Sequence, residues 1–426
     1  PLLGQAHPEG GAQGDEVEIL PGGRTARVRG IQTHGVEALE VVAAKRVAIN
    51  LGVASHASLV VGAAVGSRGE KGRFDGMAPG ARLASISEGG AAYGQTEATI
   101  EAAQHPEVDV LYFEQSSYIT RTYLPRDGRL VPSVINGRLV GEYGVSIVSP
   151  THNYPVLGAI DDIVMGRGVI GIGGHEGKDN FFINHGVRVE HDDNLLITGG
   201  YGPMGDGSLK PDILAPSNYV STAQGFVEGR AIPGLYQLPP GYTIAGGTST
   251  ATPTATGGVA LLISAAKQAG VKHDPERIKW AVTRSGRWVP HIAAYKQGNG
   301  VFNVAGAWDI LKKLNDVTSL LSITSRAPVR HAFSHLLPTP NEGVGLYERD
   351  RWEPGKRQER TITFTRTNGP GQPMTSVLVL GAGKIGAVVA DMLASSGDYE
   401  VTLADRRLPR ARLKAGKRVR RAAVDV

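Results

Sequence analysis

Three polar residues, far apart in the chain, have the types that acyl transfer needs. Ser249 lies in Gly247-Thr248-Ser249-Thr250-Ala251-Thr252-Pro253, where a glycine-bearing turn runs into a helix of small residues predicted over 251–266. A serine on such a bend exposes its hydroxyl, and its own N–H belongs to the unpaired, positively polarised first turn. An oxygen that can attack and a donor for the resulting oxyanion are what nucleophilic acyl transfer requires. Pro253 fits, because first-turn N–H groups have no helical acceptor to lose. A capped, buried helix would carry the same residues. His56 opens His56-Ala57-Ser58-Leu59-Val60-Val61-Gly62-Ala63-Ala64-Val65-Gly66, a second small-residue helix. It suits either a proton acceptor or a structural role. Gly62 and Gly66 are one turn apart and let a neighbour approach that face closely. Asn153 follows the apolar run 145–148, which reads as a buried strand. A carboxamide there can donate to an oxyanion or simply close a turn.

The elements that must hold these groups follow from patterning. Strand-like runs at 83–86, 108–113, 145–148 and 169–172 alternate with helical stretches at 95–104 and 275–282. That alternation predicts a mostly parallel sheet covered on both faces. Asp274-Pro275-Glu276 has the aspartate-cap, proline-first form of a helix start. The 426 residues allow two or more domains, and 58 glycines suit tight turns and close helix–sheet contacts.

Composition removes several classes of function. With no cysteine, disulfides, thiolate metal sites and a cysteine nucleophile are excluded, although no compartment is thereby identified. No run approaches membrane-spanning length. The net charge of +5 resides in residues 374–426, with ten Lys/Arg against five Asp/Glu, so the main body is balanced and no nucleic-acid partner is expected. His191-Asp192-Asp193 could ligate a cation, but an exposed polar loop is the simpler reading.

In chain order, His56, Asn153 and Ser249 resemble the site residues of the subtilisin-like serine peptidases, the subtilases. The serine block is similar to that family's Gly-Thr-Ser-Met-Ala-Thr-Pro, differing only at Thr250. Lys210-Pro211-Asp212-Ile213-Leu214-Ala215-Pro216 matches the block ahead of the serine, and Gly76-Met77-Ala78-Pro79-Gly80-Ala81 the block after the histidine helix. Gln297-Gly298-Asn299-Gly300-Val301-Phe302-Asn303-Val304 resembles the close of the catalytic domain in large bacterial members. The resemblance covers roughly residues 45–315. It implies a three-layer α/β/α fold and a secreted serine endopeptidase acting on protein or peptide substrates. Ser249 would be the nucleophile, His56 the general base and acid, and Asn153 an oxyanion donor. No cofactor is implied for this chemistry; Ca2+ is bound by some members, and no ligand set is readable here.

Four departures bear on activity. The family's His-Gly-Thr-His is His56-Ala57-Ser58-Leu59, its Ala-Gly-Asn is Thr151-His152-Asn153, and its Ser-Leu-Gly is Glu114-Gln115-Ser116. The triad carboxylate, which fixes the histidine tautomer, sits in an Asp-Ser/Thr-Gly motif in subtilases. None lies between Pro1 and His56, and Asp15 reads as a solvated turn entering a strand. The chain opens on proline without a secretory signal. The expectation is a peptidase domain over 1–320 that lacks its N-terminal part and the triad aspartate.

Residues 321–373 turn polar and proline-punctuated, with Thr361-Ile362-Thr363-Phe364-Thr365 at strand period, as at the start of a β-rich accessory domain. Residues 374–426 then begin with methionine. A strand at 377–380 leads into Gly381-Ala382-Gly383-Lys384-Ile385-Gly386, a helix to about 395, and a second strand ending at Asp405. In this context the glycines can admit a pyrophosphate to the helix N-terminus, and Asp405 can bind ribose hydroxyls. The segment resembles the NAD(P)-binding start of saccharopine dehydrogenase-like oxidoreductases, and one βαβ unit is half of such a Rossmann fold. Nine basic residues within 406–421 read as a disordered or frameshifted tail, and the last 53 residues as a fusion, a readthrough or an assembly error. Three functions follow: a serine endopeptidase, a catalytically impaired relative, and an NAD(P)-dependent oxidoreductase fragment.

Overall fold

The structure, a computed structural model, describes residues 56–66, 72–84, 86, 94–112, 126–128, 130–222 and 242–317. It also describes strand segments between 11 and 51, residues 231–232 and 236–239, and short segments between 321 and 423. Two compact units are distinguished, Pro1–Asn315 with Thr324–Thr363, and Asp316–Ile323 with Phe364–Val426.

The first unit is built on a sheet of strands β1 (Val110–Tyr112), β2 (Ser146–Pro150), β3 (Ile170–Gly177), β4 (Asp193–Leu195) and β5 (Ile213–Pro216). β1, β2, β3 and β5 are parallel neighbours in that order, and β4 runs antiparallel to the end of β3. Every residue of β2 is buried, which explains why its sequence is a continuous run and not an alternation. Ile147 packs with Leu111 and Val169 against helices α2 (Gly94–Gln104) and α3 (Val131–Tyr143). Val148, Ile170, Ile172 and Ile213 point the other way. They meet α5 (Thr248–Ala269), α6 (Pro275–Arg284) and α8 (Val304–Leu314) through Val259, Leu262, Ile278 and Leu311. The expected three layers are thus present.

Local chemistry sets the helix limits. The Asp274 carboxylate accepts the Arg277 N–H at 3.0 Å with Pro275 in the first turn, and Asn303 caps α8 through the Gly306 N–H at 2.9 Å. Two motif blocks that are separate in sequence join at the sheet edge. Leu214 N–H donates to the Gly300 carbonyl and Phe302 N–H to the Leu214 carbonyl, both at 2.8 Å.

Other expectations need correction. Residues 83 and 84 form no strand, and Leu83 is half exposed, so this apolar stretch lacks a sheet partner. The long helix starts at Thr248, not Ala251, placing Ser249 inside it. Pro253 is therefore its sixth residue and not a first-turn one; lacking an N–H, it leaves the Ser249 carbonyl without its i+4 donor. Between 16 and 51, antiparallel strands include Glu16–Ile19 and Arg24–Thr33, the latter pairing with Val47–Leu51. Asp15, Glu114 and Gln115 lie outside the described residues.

The strands β6 (Leu321–Arg326) and β7 (Thr361–Arg366) pair as a two-stranded sheet. In the second unit, strands β8 (Ser376–Leu380), β9 (Glu400–Asp405) and β10 (Val419–Ala423) are parallel in that order, packed against α9 (Lys384–Ser396). The tail expected to be disordered therefore contains a strand. Val419 is buried against Val401 and Leu403 while Arg420 and Arg421 face solvent, so the basic composition conceals one inward face. Among the described residues no helix is long and apolar enough to cross a membrane.

Candidate active site

Ser249 is the second residue of α5 and is half-buried. As a first-turn donor its N–H has no intrahelical acceptor. The turn ahead of it depends on glycine. Gly247 has φ 80°, and a Cβ there would lie 2.9 Å from Asn153 Nδ2. A Cβ on Gly246 would lie 2.3 Å from Asn218 Oδ1.

Asn153 reaches this turn from 95 residues upstream. Its Oδ1 accepts from the Thr248 N–H at 2.8 Å and the Thr248 hydroxyl at 3.2 Å. With the oxygen so engaged, Nδ2 is the group left to donate, and it sits beside the turn that precedes Ser249. The segment is anchored through Thr151, whose N–H and hydroxyl both donate to the Ile172 carbonyl on β3 at 3.0 and 3.1 Å. His152 stands where the family resemblance has glycine, and its φ is 64°. A residue with a Cβ is strained by about 1–2 kcal/mol in that region. Its carbonyl accepts from Gly200 N–H at 2.7 Å, and its Nε2 lies 3.5 Å from the buried Asp161 carboxylate.

His56 is the first residue of α1 (His56–Val65); its side chain lies outside what the structure describes. The body of α1 nevertheless docks beside the serine helix. A Cβ on Gly257 of α5 would lie 2.9 Å from the Ala64 carbonyl. Leu59, in place of the family's second histidine, is buried with Ala245, four residues before Ser249. The close approach expected at Gly62 and Gly66 is taken by Gly76, whose Cβ would meet the Gly62 carbonyl at 2.6 Å. The structure thus joins Asn153 to the start of α5 and brings the first turn of α1 to the strand entering it.

Sequence reasoning missed a second group at the same turn. The Ser217 hydroxyl donates to the Gly247 carbonyl at 2.7 Å, while Asn218 Oδ1 accepts the Gly247 N–H at 3.3 Å. The position of Ser217-Asn218 just after the block ending at Pro216 was the only sequence signal. In His191-Asp192-Asp193 the first two residues are exposed, as the polar-loop reading has it, but the third is not a loop residue. Asp193 opens β4, and its carboxylate binds Arg287 at 2.6 and 2.7 Å and His175 at 2.8 Å. Arg287 holds that carboxyl well below the usual range, and burial lowers the His175 imidazole. Among the described residues no group of three or more histidine and acidic side chains is placed to hold a metal.

Of the glycine turn near the C-terminus, Gly381 and Gly383 lie outside the described residues. Gly386 is third in α9, and Asp405 ends β9, both at the carboxyl edge of the parallel strands.

Residues 148–306 match the family profile described as "Subtilase family", and residues 377–426 match the "Saccharopine dehydrogenase NADP binding domain". The chain is 27% identical to tripeptidyl-peptidase 2 of Caenorhabditis elegans over 271 residues, covering 61% of this chain and 18% of that protein. It is 30% identical to pyrolysin of Pyrococcus furiosus over 276 residues, covering 57% of this chain and 18% of that one. A crystal structure of tripeptidyl peptidase 2 superposes with a TM-score of 0.46 at 21% identity, covering 71% of this chain and 22% of that chain. The segment around Ser249 is therefore homologous to subtilase peptidases, and the chain spans about a fifth of the length of these curated relatives.

Proposed function

We propose that this chain carries the serine half of a subtilisin-like endopeptidase site. One observation supports it above the others: a carboxamide from a distant strand end is fixed by its oxygen to the first N–H of α5, with its NH2 beside the turn leading to Ser249. Ser249 Oγ attacks the scissile carbonyl carbon while His56 takes its proton. The developing oxyanion is received by the Ser249 N–H and Asn153 Nδ2, which need no reorganisation at that moment. Collapse of the intermediate expels the amine, protonated by His56, and water then cleaves the acyl-enzyme by the same steps.

A fluorophosphonate probe tests this directly. The expected result is covalent labelling at Ser249, lost in Ser249→Ala; a folded protein that stays unlabelled supports instead the catalytically impaired subtilase that His152 favours. In the same reading the peptidase domain occupies 1–320, a β-rich accessory segment 321–373, and a partial Rossmann unit 374–426, so limited proteolysis should cut at the two junctions. The subtilase resemblance also suggests that the whole protein works outside the cell, which comparison of culture medium with cell lysate decides. If the last unit binds NAD(P), Gly381, Gly383 and Gly386 would admit the pyrophosphate and Asp405 the ribose.

A further inference from the structure

We infer that Glu176 is a positioning residue for Ser249: its buried carboxylate orients Asn218, which with Ser217 fixes the Gly246-Gly247 turn presenting the serine. Granted that Ser249 is the attacking alcohol, the network adds a residue that no motif around the serine contains.

Glu176 is the penultimate residue of β3, and its side chain has 0% exposure. A carboxylate so buried must be surrounded by donors. Oε1 accepts from Asn184 Nδ2 at 3.2 Å and His185 Nε2 at 3.1 Å, both in the last turn of α4 (Lys178–His185). Oε2 accepts from Asn218 Nδ2 at 2.7 Å. A carboxylate can only accept, so it dictates which end of the Asn218 amide faces it. The Asn218 oxygen must then point away, and it receives the Gly247 N–H.

The backbone around Asn218 is held to suit. Its φ is 58°, a left-handed conformation uncommon outside glycine. Its carbonyl is taken by Asn184 Nδ2 at 2.8 Å, and the preceding Ser217 N–H by the His175 carbonyl at 2.8 Å. Gly247 is consequently gripped at its N–H by Asn218 and at its carbonyl by Ser217, with Asn153 on its other side. A displacement near 1 Å at an acyl-transfer site can reduce turnover by about 10²-fold.

The test reverses one hydrogen bond. Glu176→Gln keeps its oxygen for Asn184 and His185 and turns an NH2 toward the Asn218 NH2. It should increase amide hydrogen exchange across 246–250, slow fluorophosphonate labelling and kcat roughly 10–100-fold, and leave KM nearly unchanged. Adding Asn218→Asp supplies an acceptor for both that NH2 and the Gly247 N–H, so the double variant should regain slow exchange and most of the rate. Asn218→Ala provides the same loss should the glutamine variant not fold. Unchanged exchange across 246–250 in folded Glu176→Gln or Asn218→Ala overturns the inference, as does a folded double variant that recovers nothing. If the parent is not labelled at Ser249, the peptidase proposal fails, while exchange in the same variants still decides whether Glu176 sets the turn.

Discussion

The turn before Ser249 is assembled from stretches of chain around residues 153, 176, 218 and 247, each brought by a different strand or helix end. The nucleotide-type unit draws β8, α9 and β9 from one continuous segment, 376–405. The first arrangement exists only when a whole sheet is folded, because its hydrogen bonds cross up to 95 residues. In the second, the parallel pairing and the helix between are fixed by neighbours in sequence. A site of the first kind can hold a carboxamide and a serine in fixed relation. A site of the second kind is simple to build but, as one βαβ unit with a third strand, presents half of a dinucleotide fold.

The comparison is most severely tested at Ser249. With a carboxylate present to orient His56, Ser249→Ala should reduce peptide hydrolysis on the order of 10⁶-fold, and without one by only about 10²-fold, magnitudes that belong to subtilisin itself, read as kcat/KM on an unstructured peptide. Asn153→Ala should lower kcat by about 10²–10³ with KM little altered, again the size seen for subtilisin's oxyanion asparagine. A loss of kcat/KM carried by KM alone would mean that Asn153 binds substrate and does not stabilise the oxyanion. Deeper in the same unit, Leu262→Ala removes a fully buried side chain of α5 and should lower unfolding free energy by about 2–5 kcal/mol in denaturant titrations.

A pH experiment probes the scaffold independently of catalysis. Burial pushes the Asp162 carboxyl up from 3.8 to about 7, despite hydrogen bonds from Ser133 and the Gly128 N–H. Because the folded value is raised, the stability this group contributes is present below pH 3.8 and is lost as pH rises through about 7. Asp162→Asn should flatten that slope and raise stability at pH 8 on the order of 2–4 kcal/mol, as thermal melts across pH 4–8 would show. The smallest effect is expected in the second unit. Asp405→Ala should leave peptide hydrolysis unchanged, and calorimetry of the parent with NADH and NADPH should show no micromolar binding. Micromolar binding abolished by Asp405→Ala would make that unit a working nucleotide site and erase the contrast.

The sequence disclosed the layers and the reacting groups unevenly. Continuous apolar runs at 145–148 and 169–172 announced buried strands, since residues covered on both faces have no reason to alternate. The Asp274 cap was legible for a similar reason, being a local rule about helix starts, whereas the serine block announced its helix but set the start three residues too late. Leu83 misled because an apolar run says nothing about whether a neighbouring strand is available. Val419 misled in the opposite sense, as its inward side chain is hidden among exposed arginines. Glu176 was invisible. Nothing near His175-Glu176-Gly177 signals that its partner is an asparagine 42 residues later. Leu59 looked like damage to a motif, yet it fills the core beside Ala245.

The backbone stitch between Leu214 and residues 300–302 has a bearing on how the protein must be handled. Strand β5 would otherwise offer a bare row of donors and acceptors, an invitation to pair with any passing chain. Its cover comes from almost ninety residues further on. Trimming the polypeptide ahead of Gly300 would uncover that row, and the shortened product should precipitate or form multimers even with every reacting group still in place.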